Sequence, residues 1–321
     1  MKILVTGGAG YIGSVMCTRL LEEGHEVVVL DDISQGHESS IPDGVSRFIH
    51  ADIRDIAKVL KPEDNIEAVI HLAAFIAAGE SMAKPELYWQ NNTVGTLTML
   101  DGLRTLGIRK LVFASSAAVY GNPVSTPIEE DAPKNPTNTY GMTKLAMDMA
   151  ITSECVAHGM AATSLRFFNV AGAYRGKGEL HPVETHIIPI ALQVAKGERA
   201  IFSIFGDDYP TKDGTCVRDY IHVVDLANAA ILALEKLTAG KHAIYNLGNG
   251  DGFSNREVIA AVEKVTGKEM PTEVSPRREG DPAVLIASSQ KAHKELGWTP
   301  SKPALDEMVA DAWEFINQKT A

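Results

Sequence analysis

A doubly wound α/β fold, a parallel sheet with a smaller α/β lobe appended, is what this sequence predicts, and three observations predict it. A short apolar run (Ile3, Leu4, Val5) opens into a glycine-rich turn and then a helical pattern. Strand-like runs and helical patterns alternate from there to Arg166, as in a parallel sheet covered on both faces. After Asn169 the alternation breaks down, as expected where a chain leaves its sheet to build a substrate-binding lobe.

Bulk properties narrow the class. A chain of 321 residues has room for two domains and a large core. A net charge of −11 argues against nonspecific binding to nucleic acid or to an anionic membrane. An acidic protein can still hold an anionic small molecule if a few arginines gather locally. Cys17, Cys155 and Cys216 are odd in number and far apart, so neither a disulfide framework nor a metal site is expected. The chain starts directly in a strand and holds no run of membrane-spanning length, so a cytoplasmic protein is expected.

The first unit is Met1 to Ser14, with glycines spaced Gly7-x-x-Gly10-x-x-Gly13. Such a turn lets the backbone bend at Gly7, admits a pyrophosphate near Gly10 and packs helix on strand at Gly13. A helix from Tyr11 to Glu23 closes at Gly24. The next strand ends in Asp31 and Asp32, with no arginine beside them. An aspartate there favours a ribose 2′-hydroxyl over a 2′-phosphate, hence NAD over NADP. A third strand, 45–50, leads to Asp52, placed to meet the adenine amino group, and Ile53, placed to cover the ring. The fourth strand, 68–72, opens into Ala73 and Ala74, small enough to leave room for a cofactor. His71 lies inside that apolar strand and reads as a core histidine. A helical pattern over 84–106 carries Asn91 and Asn92 toward the cofactor mouth or a cap, and a fifth strand runs from Leu111 to Ser115.

The chemistry centres on the end of the fifth strand. Ser115 and Ser116 stand there, and after a proline-rich loop come Tyr140 and Lys144, four apart on one helix face. A phenol with a pKa near ~10 is a poor base at neutral pH. Lowering it by about three units needs roughly 4 kcal/mol, which a fixed ammonium and a positive nicotinamide ring supply together. Ser116 is placed to hydrogen-bond the reacting hydroxyl and relay its proton. In the second half, a helix over 184–196, the run Ile204-Phe205-Gly206, Arg218 to His222, a helix begun by Asp225 and a strand near Tyr245 precede Arg277, Arg278 and Asp281. Asp219 and Asp225 read as a turn residue and a helix cap. Arginine's planar donor fork suits a diphosphate.

Several stretches carry a resemblance: TGGAGYIGS, SSAAVYG with YGMTK, RFFNVAGA, FSIFGDDYPTKDGTCVRDYIHVVDL and PRREGDPA. Together they resemble the UDP-glucose 4-epimerases of the extended short-chain dehydrogenase/reductase family, over essentially the whole chain. The resemblance implies a Rossmann-type NAD domain from 1–168 and 217–245, with 169–216 and 246–321 forming the UDP-sugar lobe. Beyond the residues already named, it implies cofactor contacts from Tyr11, Ile12, Ser34, Gly36, Leu72 and Phe168. Arg218 and Arg278 would hold the UDP diphosphate, Asp281 the uridine ribose, and Ile204 and Phe205 the uracil. Asn169, His186, Ile187, Tyr220 and Val284 complete the implied substrate site. The implied reaction interconverts UDP-galactose and UDP-glucose: C4 gives hydride to NAD, the 4-keto sugar turns over, and hydride returns to its other face.

Three departures from the family pattern stand out. Ala118 replaces the threonine usual two residues after the catalytic serine, Ile76 replaces a lysine common in the cofactor pocket, and Val284 stands where a bacterial member has tyrosine. Valine leaves more space than tyrosine, so some activity on UDP-N-acetylhexosamines is expected. A nucleotide-sugar 4,6-dehydratase would need acids beside the serine, where Ala117 and Ala118 stand. A UDP-glucuronate epimerase needs a site for the substrate carboxylate, and none is identifiable. A silent NAD-binding regulator would have no reason to keep Ser116, Tyr140 and Lys144. The resemblance also implies a homodimer, for which Met147, Met149, Ile151 and Cys155 would offer an apolar helix face, unless they are ordinary core.

Overall fold

The computed structural model describes residues 1–181, 184–278 and 281–318. Its central sheet has seven strands: β1 (Lys2–Thr6), β2 (Glu26–Asp31), β3 (Arg47–His50), β4 (Ala68–His71), β5 (Lys110–Ser116), β6 (Ala161–Phe167) and β7 (His242–Leu247). They lie in the order β7-β6-β5-β4-β1-β2-β3, and every pairing is parallel. The order reverses between β1 and β4, and the crevice beyond their C-terminal ends is where such sheets bind ligands.

Successive strand residues point to opposite faces. Ile3, Val5, Val27 and Val29 pack with Met16 and Leu20 of helix Tyr11–Glu22 and Leu226 and Leu234 of helix Val223–Lys236. Leu4, Val28 and Leu30 pack the other way, with Met99 and Leu103 of helix Thr96–Thr105 and Met147, Ile151 and Cys155 of helix Thr139–His158. Burial on both faces is why the strands read as unbroken apolar runs. It also decides between two readings: Met147, Ile151 and Cys155 are core, and of the four only Met149, 65% exposed, faces outward. Between β4 and β5, helix Ala78–Ala83 precedes the expected helical stretch, which runs as Pro85–Tyr88, a π-helical stretch Trp89–Gly95 and Thr96–Thr105.

A second core gathers Ile188, Leu192, Val258, Val262, Met308 and Val309 from helices Ile187–Lys196, Asn255–Thr266 and Leu305–Gln318. Against it lie the parallel pair Phe202–Phe205 and Thr272–Ser275. A ribbon of Phe253–Ser254, Val217–Arg218 and Val284–Leu285 adjoins it. Asp219 is the expected structural residue: its carboxylate accepts the backbone N–H groups of Asn249, Gly250 and Ala287. Asp225 is not the cap. His222 caps that helix by accepting from Val224 N, while Asp225 holds the later loop by accepting from the N–H groups of Ser301 and Lys302 at 2.7 and 2.9 Å. The helix expected from 184 begins only at Ile187.

Candidate active site

The glycine turn sits at the strand-order reversal. Gly7 has φ +75°, and a Cβ there would lie 2.6 Å from the backbone N of Ala73. At Gly13 a Cβ would lie 2.0 Å from the Gly7 carbonyl oxygen. Turn, first helix and the loop after β4 therefore touch backbone to backbone. Gly10 begins the helix with no side-chain cap and no acid in its first turn, leaving the positive helix end open to a phosphate. The Asp31 carboxylate is fixed beside the turn by the N–H groups of Ala9 (3.0 Å) and Ile33 (2.8 Å), and burial raises its pKa. The loop carrying Ser34 and Gly36 closes over it, with His37 N donating to Ala9 O and Asp32 accepting from Ser34.

The outlying cofactor residues are more occupied than the sequence suggested. Asp52 caps the turn Ile53–Asp55 and is engaged by the backbone and guanidinium of Arg54. The Ile53 side chain is buried with Ile49, Leu30 and Val28. Asn91 donates to Asn92, whose amide clasps both backbone groups of Phe75 and so fixes the loop holding Ala73 and Ala74. Leu72 donates its N–H to Thr6 O at the end of β1. Tyr11 donates its hydroxyl to Gly172 O at 2.6 Å, and Ile12 packs against the first core. His71 is the expected core histidine, bonded to Thr6 and Thr96 hydroxyls and pushed down to about 3 by burial.

Tyr140, Lys144 and Ser116 come together at the end of β5. Asn138 starts the long helix by accepting from Gly141 N. One turn on, the buried Lys144 donates to Ala114 O at 2.8 Å, its Nζ 5.8 Å from the Tyr140 ring centroid. Burial pushes Lys144 down to about 8, with Asp148 pulling the other way. The Tyr140 phenol is raised by burial and drawn back by the Ser116 hydroxyl. In the chain alone the phenol is thus held protonated, and the nicotinamide charge is what remains to be added. Ser116 accepts from Ala118 N, leaving its own proton to give. Ser115 points the opposite way, buried, and donates to Asp148. Beneath it, Arg166 forms a buried ion pair with Asp148 at 3.0 Å and donates to Tyr120, whose hydroxyl donates to Asn246.

Across the crevice, Arg218 donates to the carbonyls of Val217 and Pro282 and stands 3.8 Å from Asp281. The Arg278 guanidinium lies 3.9 Å over the Phe205 ring. Tyr220, paired in register with Asn169, has a buried hydroxyl with no well-aligned hydrogen bond among the described residues, one that a ligand polar group would satisfy. Phe168 is buried with Ala117 and Val119, joining the two halves. Ile187 lies against the lobe core. Ile204 is 1% exposed inside that core, and of the two it is Phe205 that strand alternation turns outward. Val284 pairs with Val217, whereas Leu285 pairs with Arg218 and packs against the cluster of Ala117 and Phe168. Register therefore puts Leu285, rather than Val284, on the Arg218 side. His186 spends its Nδ1 on Glu179 (2.7 Å) and Glu184 (2.9 Å).

Residues 3–248 match the NAD dependent epimerase/dehydratase family. The chain belongs to that family. It is 55% identical over 317 residues to a UDP-glucose 4-epimerase of Corynebacterium glutamicum, covering 99% of this chain and 96% of that one. Among solved structures, the UDP-glucose 4-epimerase of Bifidobacterium longum in complex with NAD+ and UDP superposes with a TM-score of 0.94 at 37% identity, over 100% of this chain and 99% of that one. A UDP-Glc/GlcNAc 4-epimerase from Campylobacter jejuni gives a TM-score of 0.87 at 39% identity, over 99% of each. Family membership brings NAD as cofactor, and the open helix end at Gly10 beside the fixed Asp31 fits it.

Sequence reasoning missed the buried Asp148–Arg166 pair, the Asn92 clasp and the group Glu179, His181, Glu184 and His186. Asp148 was findable, since it stands one helical turn beyond Lys144. The last group had its own signal in the spacing Glu-x-His-x-x-Glu-x-His.

Proposed function

We propose that Tyr140, Ser116 and Lys144 interconvert UDP-galactose and UDP-glucose, with NAD along the glycine turn and the sugar nucleotide held between Arg218, Arg278 and Asp281. The observation that carries this reading is the meeting of Ser116, Tyr140 and Lys144 at the end of β5, in a chain of this family. When bound, NAD accepts the C4 hydride and returns it. Tyr140 takes the 4-hydroxyl proton, directly or through Ser116, and hands it back after the sugar has turned over. Lys144, fixed by Ala114 O, holds positive charge beside the phenol. The arginines grip the diphosphate in both sugar orientations, so binding energy sits on the nucleotide while the sugar stays free to rotate. The Tyr220 hydroxyl, beside Asn169, takes a polar group of the sugar or its phosphate.

In this reading residues 1–168 and 217–245 carry NAD and 169–216 with 246–321 carry the sugar nucleotide. The protein acts as a cytoplasmic homodimer. Its three cysteines are free and buried, and no helix among the described residues is long and apolar enough to cross a membrane. Met142, Met149 and Val156, spaced by seven on the long helix, form an exposed apolar stripe beside exposed Val94 and Leu97. Two such helices from each of two copies would bury it. The pocket also admits a 2-acetamido group, because the residue on its Arg218 side is aliphatic Leu285.

The test is to incubate purified protein with UDP-galactose, without added NAD, and follow UDP-glucose. Turnover supports the reading, and the same assay with UDP-N-acetylgalactosamine measures the width of the pocket. No turnover even with NAD added sinks it.

A further inference from the structure

We propose that Glu179, His181, Glu184 and His186 bind one zinc ion as a closed four-ligand clasp on the loop before helix Ile187–Lys196. Two imidazoles and two carboxylates suit zinc in chemistry and in number. Each residue offers one ligand atom, and the four atoms all lie within 4.8 Å of one another. Nδ1 of His181 is 3.1 Å from Glu179 and 3.8 Å from Glu184, while Nδ1 of His186 is 2.7 and 2.9 Å from the same two carboxylates. Four ligands about 2.0–2.1 Å from one tetrahedral ion stand about 3.3 Å apart, in the middle of that range. His181 adds an independent sign. Its Nδ1 is buried and, among the described residues, makes no well-aligned hydrogen bond, although it stands within ion-pair distance of both carboxylates.

The position says what the ion does. All four places are filled by the chain, so no site is left for substrate and the ion is structural. The loop it closes is pinned on two sides. His37, from the segment that covers the glycine turn, reaches Leu180 O at 3.1 Å, and Gly178 lies flat on Phe315 of the last helix. Tyr11, the first residue of the cofactor helix, holds Gly172 O at the start of the same loop. The clasp therefore locks the segment that joins the cofactor turn to the substrate lobe.

The experiment uses untagged NAD-loaded protein, purified without chelator and measured for metal content by plasma mass spectrometry. About one zinc per chain is expected. Stripping it with a chelator should lower Tm by several degrees, and zinc but not magnesium should restore it. Glu179→Gln and His181→Asn should each weaken zinc binding beyond the roughly 10–100-fold that loss of a mere supporting partner costs. Their kcat on UDP-galactose should stay at the unaltered level, since neither touches the reacting atoms. Stripped protein that takes up no zinc at micromolar free ion, or variants that hold zinc as tightly as the unaltered chain, would overturn the clasp and leave a charge-paired cluster. Should His181→Asn fail to fold, Glu179→Gln decides alone.

Discussion

The two walls of the crevice are built on different plans. On the sheet side, Lys144 is buried, bonded to a strand carbonyl and backed by an ion pair sealed from water. On the lobe side, the arginines are partly exposed and lean on carbonyls, on a carboxylate 3.8 Å away and on an aromatic face. A chemical step that moves a proton needs its groups held to fractions of an ångström. A diphosphate anchor needs charge and reach, and it must let the sugar swing. Under the proposed roles, the difference teaches that rigidity is placed where bonds change and compliance where the substrate turns.

If that contrast is right, damage to the sheet side should strike kcat or the fold, and damage to the lobe side should strike KM. Tyr140→Phe should lower kcat by about 10³-fold, within the usual range for losing a general base, with KM for UDP-galactose little changed and NAD still bound after gel filtration. A loss under tenfold would mean another group carries the proton. Asp148→Asn should cost about 3–5 kcal/mol of stability, because it leaves the Arg166 guanidinium buried without its counter-charge. A structural role alone would stop there. Asp148 also raises the Lys144 pKa. Its removal should therefore move the alkaline limb of the kcat profile to lower pH, since the ammonium is lost sooner as pH rises. Arg278→Ala should leave kcat near its original value and raise KM about 10–100-fold, the worth of a charge-assisted phosphate contact. A larger fall in kcat than rise in KM would erase the distinction between the walls.

The same contrast governs what could be read in advance. The sheet side is local in sequence. Gly7 to Gly13 form one turn, Ser116 ends one strand, and Tyr140 and Lys144 share one helix face, so spacing alone reveals them. The lobe side draws Phe205, Arg218 and Arg278 from separate segments, and no periodicity links them; only resemblance to a family placed them together. What the sequence left open follows the same line. Ile204 and Ile53 sit in apolar strings whose inward or outward direction depends on which partner strand or helix they meet. Met147, Ile151 and Cys155 read equally as dimer face or core because the sheet that buries them lies far away in sequence. Asp225 read as a cap because the loop at Ser301 that claims its carboxylate is likewise distant.

The finest test of the comparison concerns the gate for the sugar's 2-substituent. The sequence put Val284 there, while strand register gives Leu285 the Arg218 side and packs it toward Ala117 and Phe168. Adjacent strand residues point to opposite faces, so one substitution can narrow the pocket while its neighbour leaves it alone. Leu285→Tyr should lower the turnover of UDP-N-acetylgalactosamine relative to UDP-galactose by about 10-fold, roughly the size of discrimination that one or two methylenes give in a pocket. Val284→Tyr should leave that ratio within about twofold, a change too small to mark a clash in the pocket. The measurement is the ratio of kcat/KM for the two sugars in each variant. The reverse pattern would return the gate to Val284 and show that the short ribbon of Val217–Arg218 and Val284–Leu285 twists enough to exchange its faces.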